Sequence, residues 1–318
     1  MAALILILVA GSLVLRPSTD PWPHMAERSG PARPGELTLR FLGTSTLLVD
    51  DGQDQLMIDG YLSRPGLRTL LTRRLTPDLA TIDRTLQASQ IERLSALLVA
   101  HTHFDHALDS ALLAQRFGAR LHGTSSMAAI ARAEGRDAAF QPLVSGQTFG
   151  VGAFRVTPYA TPHAPGDIAD GASAQAFVYP ARARDYPMGG NHAFLIEAGD
   201  CGILVVPSAG QPGPALADVR ADIVLLGIGQ LAAQGEDGTT AYWRDTVEAS
   251  EAGLVIPIHW DDFSQPLTKP LRPLPYALDR FDITMKRLNR LAEGQVALRL
   301  PPSMAAMDLS DLPVGDCA

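Results

Sequence analysis

His101-Thr102-His103-Phe104-Asp105-His106 is the stretch that decides the fold of this chain. It follows an apolar run, Leu94 to Ala100, which reads as a buried strand delivering its end to a loop. Four side chains able to bind a metal, within six residues, cannot share one face of a helix or strand. They can converge from a loop. Imidazole nitrogens and a carboxylate oxygen are ligands that zinc and its first-row neighbours accept. The chain has only 8 His, and three of them stand here beside an Asp. A polar loop that happens to be rich in His is the plainer alternative, and the position at a strand end weighs against it.

The H-x-H-x-D-H string resembles the signature of the metallo-β-lactamase superfamily of metal-dependent hydrolases. That resemblance implies an α/β protein, a four-layer αββα sandwich with one or two metals held by loops at one edge of the paired sheets.

Composition is compatible with such a fold and excludes some partners. At 318 residues and 46% hydrophobic, the chain can bury one large core or two small ones. Basic residues number 26 against 34 acidic, net −8, with no basic run, which argues against nucleic acid and for a small-molecule substrate. Two cysteines, Cys201 and Cys317, are too few for a disulfide framework. They read as two unpaired thiols or at most one staple of the tail, and neither reads as a ligand or a nucleophile.

Ala2 to Leu15 is nearly all apolar. As a helix rising about 1.5 Å per residue it reaches about 21 Å, short of a hydrocarbon core of about 30 Å. Residues 1–16 therefore read as a signal h-region or short anchor, although no Lys or Arg precedes them and no A-x-A site follows. No Cys follows either, which excludes a lipoprotein anchor. The expectation is a cell-envelope protein, anchored in the membrane or exported to the periplasm; translation from Met25 gives a cytoplasmic one instead. Residues 17–35 read as a Pro-rich linker with a solvated His24, 36–302 as the catalytic domain, and 303–318 as a tail.

Within the domain, strands are expected at 37–42, 45–49 and 55–58, with a turn at Asp50-Asp51-Gly52. Asp59 ends the third, either as a turn-forming Asp before Gly60 or as a carboxylate behind a metal-bound imidazole. A helix is expected at 77–89, after a stretch whose Arg64, Arg68, Arg73 and Arg74 read as a solvated face more readily than as an anion site. Helices follow at 109–117 and 124–133, and strands at 119–122, 154–158, 191–197, 202–206, 222–226, 254–258 and 296–300. Further helices are expected at 241–250 and 276–291. His122 reads as structural, and His192 as a strand-end His or a substrate contact. Residues 164–190, too long for a simple turn, are expected to overhang the metal site.

The resemblance also implies a ligand set. His101, His103 and His163 would hold the first metal, and Asp105, His106 and His259 the second. His259-Trp260-Asp261-Asp262-Phe263, after a strand, is similar to the last ligand motif of the branch with ascorbate-6-phosphate lactonases and N-acyl-phosphatidylethanolamine phospholipase D. The resemblance places a His-supporting Asp at Asp59. It fails at Val206-Pro207-Ser208-Ala209-Gly210, where the family usually holds a metal-bridging Asp and this chain has Ser208. A hydroxyl is a poor ligand beside a carboxylate. The second site is therefore expected to be weak unless Asp167 or Asp262 supplies the bridge.

The resulting expectation is a hydrolase with one or two Zn2+, using metal-bound hydroxide on a small ester, lactone or phosphodiester, with Asp105 taking or orienting the proton. The alternative is a catalytically degenerate metal- or ligand-binding protein of the envelope. A β-lactamase proper and an iron oxygenase are weaker matches.

Overall fold

Alternate side chains along the central strands serve two different cores, and this builds the layers. The structure is a computed structural model that describes residues 14–28, 30, 32–136, 138–166, 177–309, 314 and 317. The first sheet starts with β1 (Glu27–Arg28), β2 (Thr38–Phe41), β3 (Leu47–Asp50) and β4 (Gln55–Ile58). Helices α1 (Leu67–Thr72) and α2 (Leu79–Ala88) lead to β5 (Leu94–Leu98). After it come α3 (Phe104–Ala107), α4 (Ser110–Phe117), β6 (Arg120–Gly123), α5 (Ser125–Ala133) and β7 (Phe140–Pro142).

The second sheet holds β8 (Phe149–Val151), β9 (Phe154–Thr161), β10 (Asn191–Ala198), β11 (Cys201–Val206) and β12 (Ile223–Gly227). Helix α6 (Gly235–Trp243) precedes β13 (Leu254–Ile258), and α7 (Phe281–Ala292) precedes β14 (Ala297–Leu298). The chain then returns to the first sheet as β15 (Ala306–Met307). Strand order is β1-β15-β2-β3-β4-β5-β6-β7 in one sheet and β14-β13-β12-β11-β10-β9-β8 in the other.

In β5, Ala96 and Leu98 face the core between the sheets, which also holds Val156, Phe194 and Val205. Leu97 and Val99, one residue out of phase, join Ala111, Leu113 and Ile130 beneath the helices. Burial on both faces is why the run from Leu94 to Ala100 is apolar except at the half-buried Ser95. On the far side, Trp243, Phe281 and Leu288 from α6 and α7 pack against the second sheet. The result is a four-layer αββα sandwich.

Pairing is parallel from β4 through β7 and again from β11 through β14, so these strands release their chains at a common edge. His101 follows β5, His163 follows β9 and His259 follows β13, all at that edge.

Several boundaries differ from expectation. Pro77 does not open α2; Asp78 caps it, accepting from Thr81 N at 3.2 Å. Helix α6 starts at Gly235 and runs on as a π turn, Arg244–Glu248, while α7 starts only at Phe281. The larger corrections are at the ends. The segment expected as a linker is packed on the domain: Met25 is buried, β1 pairs with β15, and Arg16 bonds Pro273 O and Asp262. The expected tail enters the first sheet as β15, between β1 and β2. Cys201 and Cys317 are joined in a disulfide, the staple rather than two free thiols. Apolar side chains decide these cases, since Met25, Met307, Leu309 and Val314 all find a core.

Candidate metal centre

The site begins with strained backbone. Thr44, Asp59 and His259 have positive φ (54°, 50° and 57°), a conformation that costs a non-glycine residue energy and persists only where neighbours enforce it. Here they do. His259 N donates to Thr44 O at 2.6 Å, and Thr44 N donates to Asp261 Oδ1 at 2.6 Å. Asp261 is in turn ion-paired to the buried Arg64. Of the four arginines expected on a solvated face, Arg64 is therefore a correction: it is 3% exposed and ties the His259 loop to the chain after β4.

The six candidate ligands meet in two groups. His101, His103 and His163 bring ligand atoms within 4.8 Å of one another, and so do Asp105, His106 and His259. His101 Nε2 lies 3.1 Å from His103 Nδ1, and His106 Nε2 lies 3.3 Å from His259 Nε2. Two nitrogens about 2.0–2.1 Å from a tetrahedral zinc stand about 3.3 Å apart, so both spacings fit a metal between them. Buried His101 Nδ1 has no hydrogen-bond partner. The residues fit the group that the fold implies.

Electrostatics follow from that crowding. Burial, and then the neighbouring imidazoles, push His101 well below the usual histidine range. For Asp105, burial works to raise the carboxyl, but His106 and His259 outweigh it and hold the group well below the ordinary carboxylate range. His259 is the converse. Burial lowers it, the hydrogen bond and charge of Asp105 raise it, and the net shift is upward.

Asp59 stands behind the second group. Its Oδ2 lies 2.7 Å from His106 Nδ1 and accepts from Ser45 Oγ at 2.6 Å, while Oδ1 accepts from Ala100 N at 2.8 Å. A carboxylate there fixes the imidazole tautomer with the far nitrogen free for a ligand. Ser208 caps the other side: its Oγ accepts from Ala164 N at 2.9 Å, beside His163. Gly210 is needed next to it, because a Cβ there would lie 2.1 Å from Pro162 O.

The remaining expected residues lie outside the two groups. His192 is buried in β10, one wall of a cavity it shares with His163, and its Nδ1 has no partner. Asp262 is held by Arg16 at 2.8 Å and by Ser264 Oγ at 2.6 Å, so it does not turn to the ligands. Asp167 lies outside the described residues, as does the middle of the insertion. The end of that insertion is fastened to the metal loop, since Thr102 N donates to Met188 O at 2.9 Å.

Sequence reasoning missed Ser45, Thr102, Asn191, Asp261 and Asp279. Asn191 Nδ2 donates to Thr161 Oγ1 and Pro162 O, holding the turn that carries His163. Asp279 is 7% exposed and lines a cavity with His163, Ser208 and His259; burial raises its carboxyl above the ordinary range. Thr102 and Asp261 share the one sequence signal, a polar residue shortly past an apolar run; Asn191, after Gly189-Gly190, has none.

Residues 39–177 match the sequence model described as the metallo-beta-lactamase superfamily, a segment with five of the six candidate ligands but not His259. No curated protein matches the chain. Among solved structures, Igni18, a metallo hydrolase from Ignicoccus hospitalis, is 14% identical with TM-score 0.52, over 85% of this chain and 97% of that one. An isothiocyanate hydrolase from Delia radicum gut bacteria is 16% identical with TM-score 0.52, over 85% and 98%. CmlA, a diiron beta-hydroxylase from Streptomyces venezuelae, is 16% identical with TM-score 0.51, over 86% of this chain and 54% of that one. The matched segment and the paired sheets agree: the chain has the metallo-β-lactamase fold, and its residues 39–177 are similar in sequence to that superfamily.

Proposed function

We propose that this chain is a metal-dependent hydrolase of a small ester, lactone or phosphodiester. The observation that carries it is the meeting of two three-residue ligand groups at one edge of the sandwich. A metal bound there, for which zinc is the best fit to the donor set, supplies a Lewis acid and a water of lowered pKa.

The chain's own residues do the rest. Asp59 holds the His106 ring with its Nε2 turned toward His259. Asp105, ionised across the working pH range, accepts a hydrogen bond from the attacking water and fixes its direction. Its depressed pKa makes it a better orienting acceptor than a proton store. The apolar wall of Phe263 and Leu274 beside His259 limits bulk water. Ser208 favours a second reading, a metal- or ligand-binding protein without turnover.

One experiment separates them. The purified chain is assayed against ester, lactone and phosphodiester panels, with metal analysis, before and after chelation. Turnover that chelator removes and zinc restores supports the hydrolase; bound metal without turnover on any panel supports the binder.

For location, the reading is the cell envelope. Two features support it: the apolar residues 2–15 and a disulfide of a kind that persists in oxidising compartments. Among the described residues no helix is long and apolar enough to cross a membrane. Recovery of the full chain in the soluble cytoplasm with reduced thiols would exclude this placement.

A further inference from the structure

A cavity of about 110 Å3 opens between the two ligand groups, with His163 and His259 both in its wall. Of its other large side chains, Phe263 and Leu274 are apolar, and Gln230 is polar with its Nε2 donating to Leu278 O at 2.8 Å. One charge interrupts them, the carboxylate of Asp279. Gln230 N donates to its Oδ2 at 3.3 Å and Arg280 N to its Oδ1 at 2.7 Å. Each oxygen thus has one partner and keeps a lone pair, because a carboxylate offers about four acceptor sites.

Among the described residues no Lys or Arg lines this cavity, nor the neighbouring one on the other side of His163. Three arginines bonded or adjacent to the segments that carry Phe263, Leu274 and Asp279 are engaged elsewhere. Arg16 is paired with Asp262, Arg64 with Asp261, and Arg280 with Asp282. An anionic group entering beside Asp279 would lose its water and meet a like charge with no Lys or Arg beside it, so only a metal held by His163 or His259 would oppose that repulsion. A hydroxyl or ammonium would instead supply the hydrogen that the carboxylate lacks.

We propose that Asp279 makes this cavity a specificity subsite for an uncharged or cationic group bearing an O–H or N–H donor, next to the scissile bond. Of the substrate classes above, this selects hydroxy- or amino-substituted esters and lactones over substrates carrying a second anionic group. The inference rests on the hydrolase reading for its kinetics but not for binding.

The test uses matched methyl esters differing only in the group that enters the cavity: methyl glycolate, methyl acetate and monomethyl malonate. With the metal-loaded chain, kcat/KM for the glycolate is expected to exceed that for the malonate by at least about tenfold. Asp279→Asn keeps one acceptor oxygen and removes the charge, so the preference should shrink about tenfold. Leu274→Lys, which leaves Asp279 in place and brings in a cation, should also move the ratio toward malonate.

The same esters are titrated by NMR into chelator-treated chain, where no hydrolysis intervenes. Malonate binding should strengthen in both variants and glycolate binding should weaken in Asp279→Asn. If Asp279 only ties its loop to Gln230, the Asn variant loses thermal stability and all three esters fall together; that overturns the proposal. If no ester is turned over, the hydrolase reading fails and the titration alone decides the subsite. Equal malonate affinity in parent and both variants would refute it.

Discussion

Asp59 Oδ2 lies 2.7 Å from His106 Nδ1, so a residue at the end of one strand sets the ring of a candidate ligand 47 positions on. Asp59→Asn replaces an acceptor that must face an imidazole N–H with an amide that can present its NH2 instead. Metal affinity of the Asp105-His106-His259 group is expected to fall by about 10–100-fold, with the His101-His103-His163 group little changed. Competition with a chromophoric chelator measures both. Equal loss at the two groups would mean that Asp59 supports the fold and not the ring.

His103→Ala is expected to abolish hydrolysis while the circular dichroism spectrum stays that of the parent. The sandwich core contains none of the ligands, so its packing does not depend on them. A folded variant that turns over substrate at the parent rate would refute the site.

Ser208→Asp puts a carboxylate beside His163 and His259. Two dications a few Å apart repel strongly, and a shared anion offsets that. The second metal is expected to bind at least about tenfold more tightly, which is about 1.4 kcal/mol. Metal content after mild dialysis reads this directly, and two equally tight ions in the parent chain would contradict it.

Glu134 predicts a pH dependence of stability. Its side chain is fully buried, neither oxygen has a hydrogen-bond partner, and Arg136 Nε stands 3.9 Å away. Burial outweighs that attraction and pushes the carboxyl from 4.5 to about 8. A carboxyl whose pKa is raised on folding binds more protons in the native state, so stability falls as pH rises between about 4.5 and 8. The slope is at most about 1.4 kcal/mol per pH unit from one group. Urea unfolding across that window should flatten in Glu134→Gln, which should be more stable than the parent at pH 8. An unchanged slope would assign the dependence elsewhere.

The Cys201–Cys317 bridge closes a loop with a sequence separation of 116. Cys317→Ser is expected to cost about 2–5 kcal/mol. Reductant should lower the thermal midpoint of the parent and leave that of the variant where it is.

Much of this molecule was legible in its residues. The strand–loop ligand pattern at His101 to His106, and the His after β9 and β13, placed the six candidates before any coordinates. Periodicity could not do the same for the ends. Arg16, Met25 and the β15 residues Ala306 and Met307 act through partners more than 200 positions away, and no local pattern encodes such a partner. Asp279 was invisible for the same reason: the helix expected at 276–291 placed it within the first turn, and its cavity exists only when separate loops meet. Arg64 looked like its exposed neighbours because composition cannot distinguish a buried ion pair from a solvated charge.

Since β15 fits between β1 and β2, the strand that completes the first sheet is synthesised only after every other strand of both sheets. Until Met307 has emerged, β2 presents an open edge, and the two residues of β1 have nothing to pair with. A nascent chain can assemble its candidate ligand loops from β5 onward, yet β1 stays unpaired until β15 has been made.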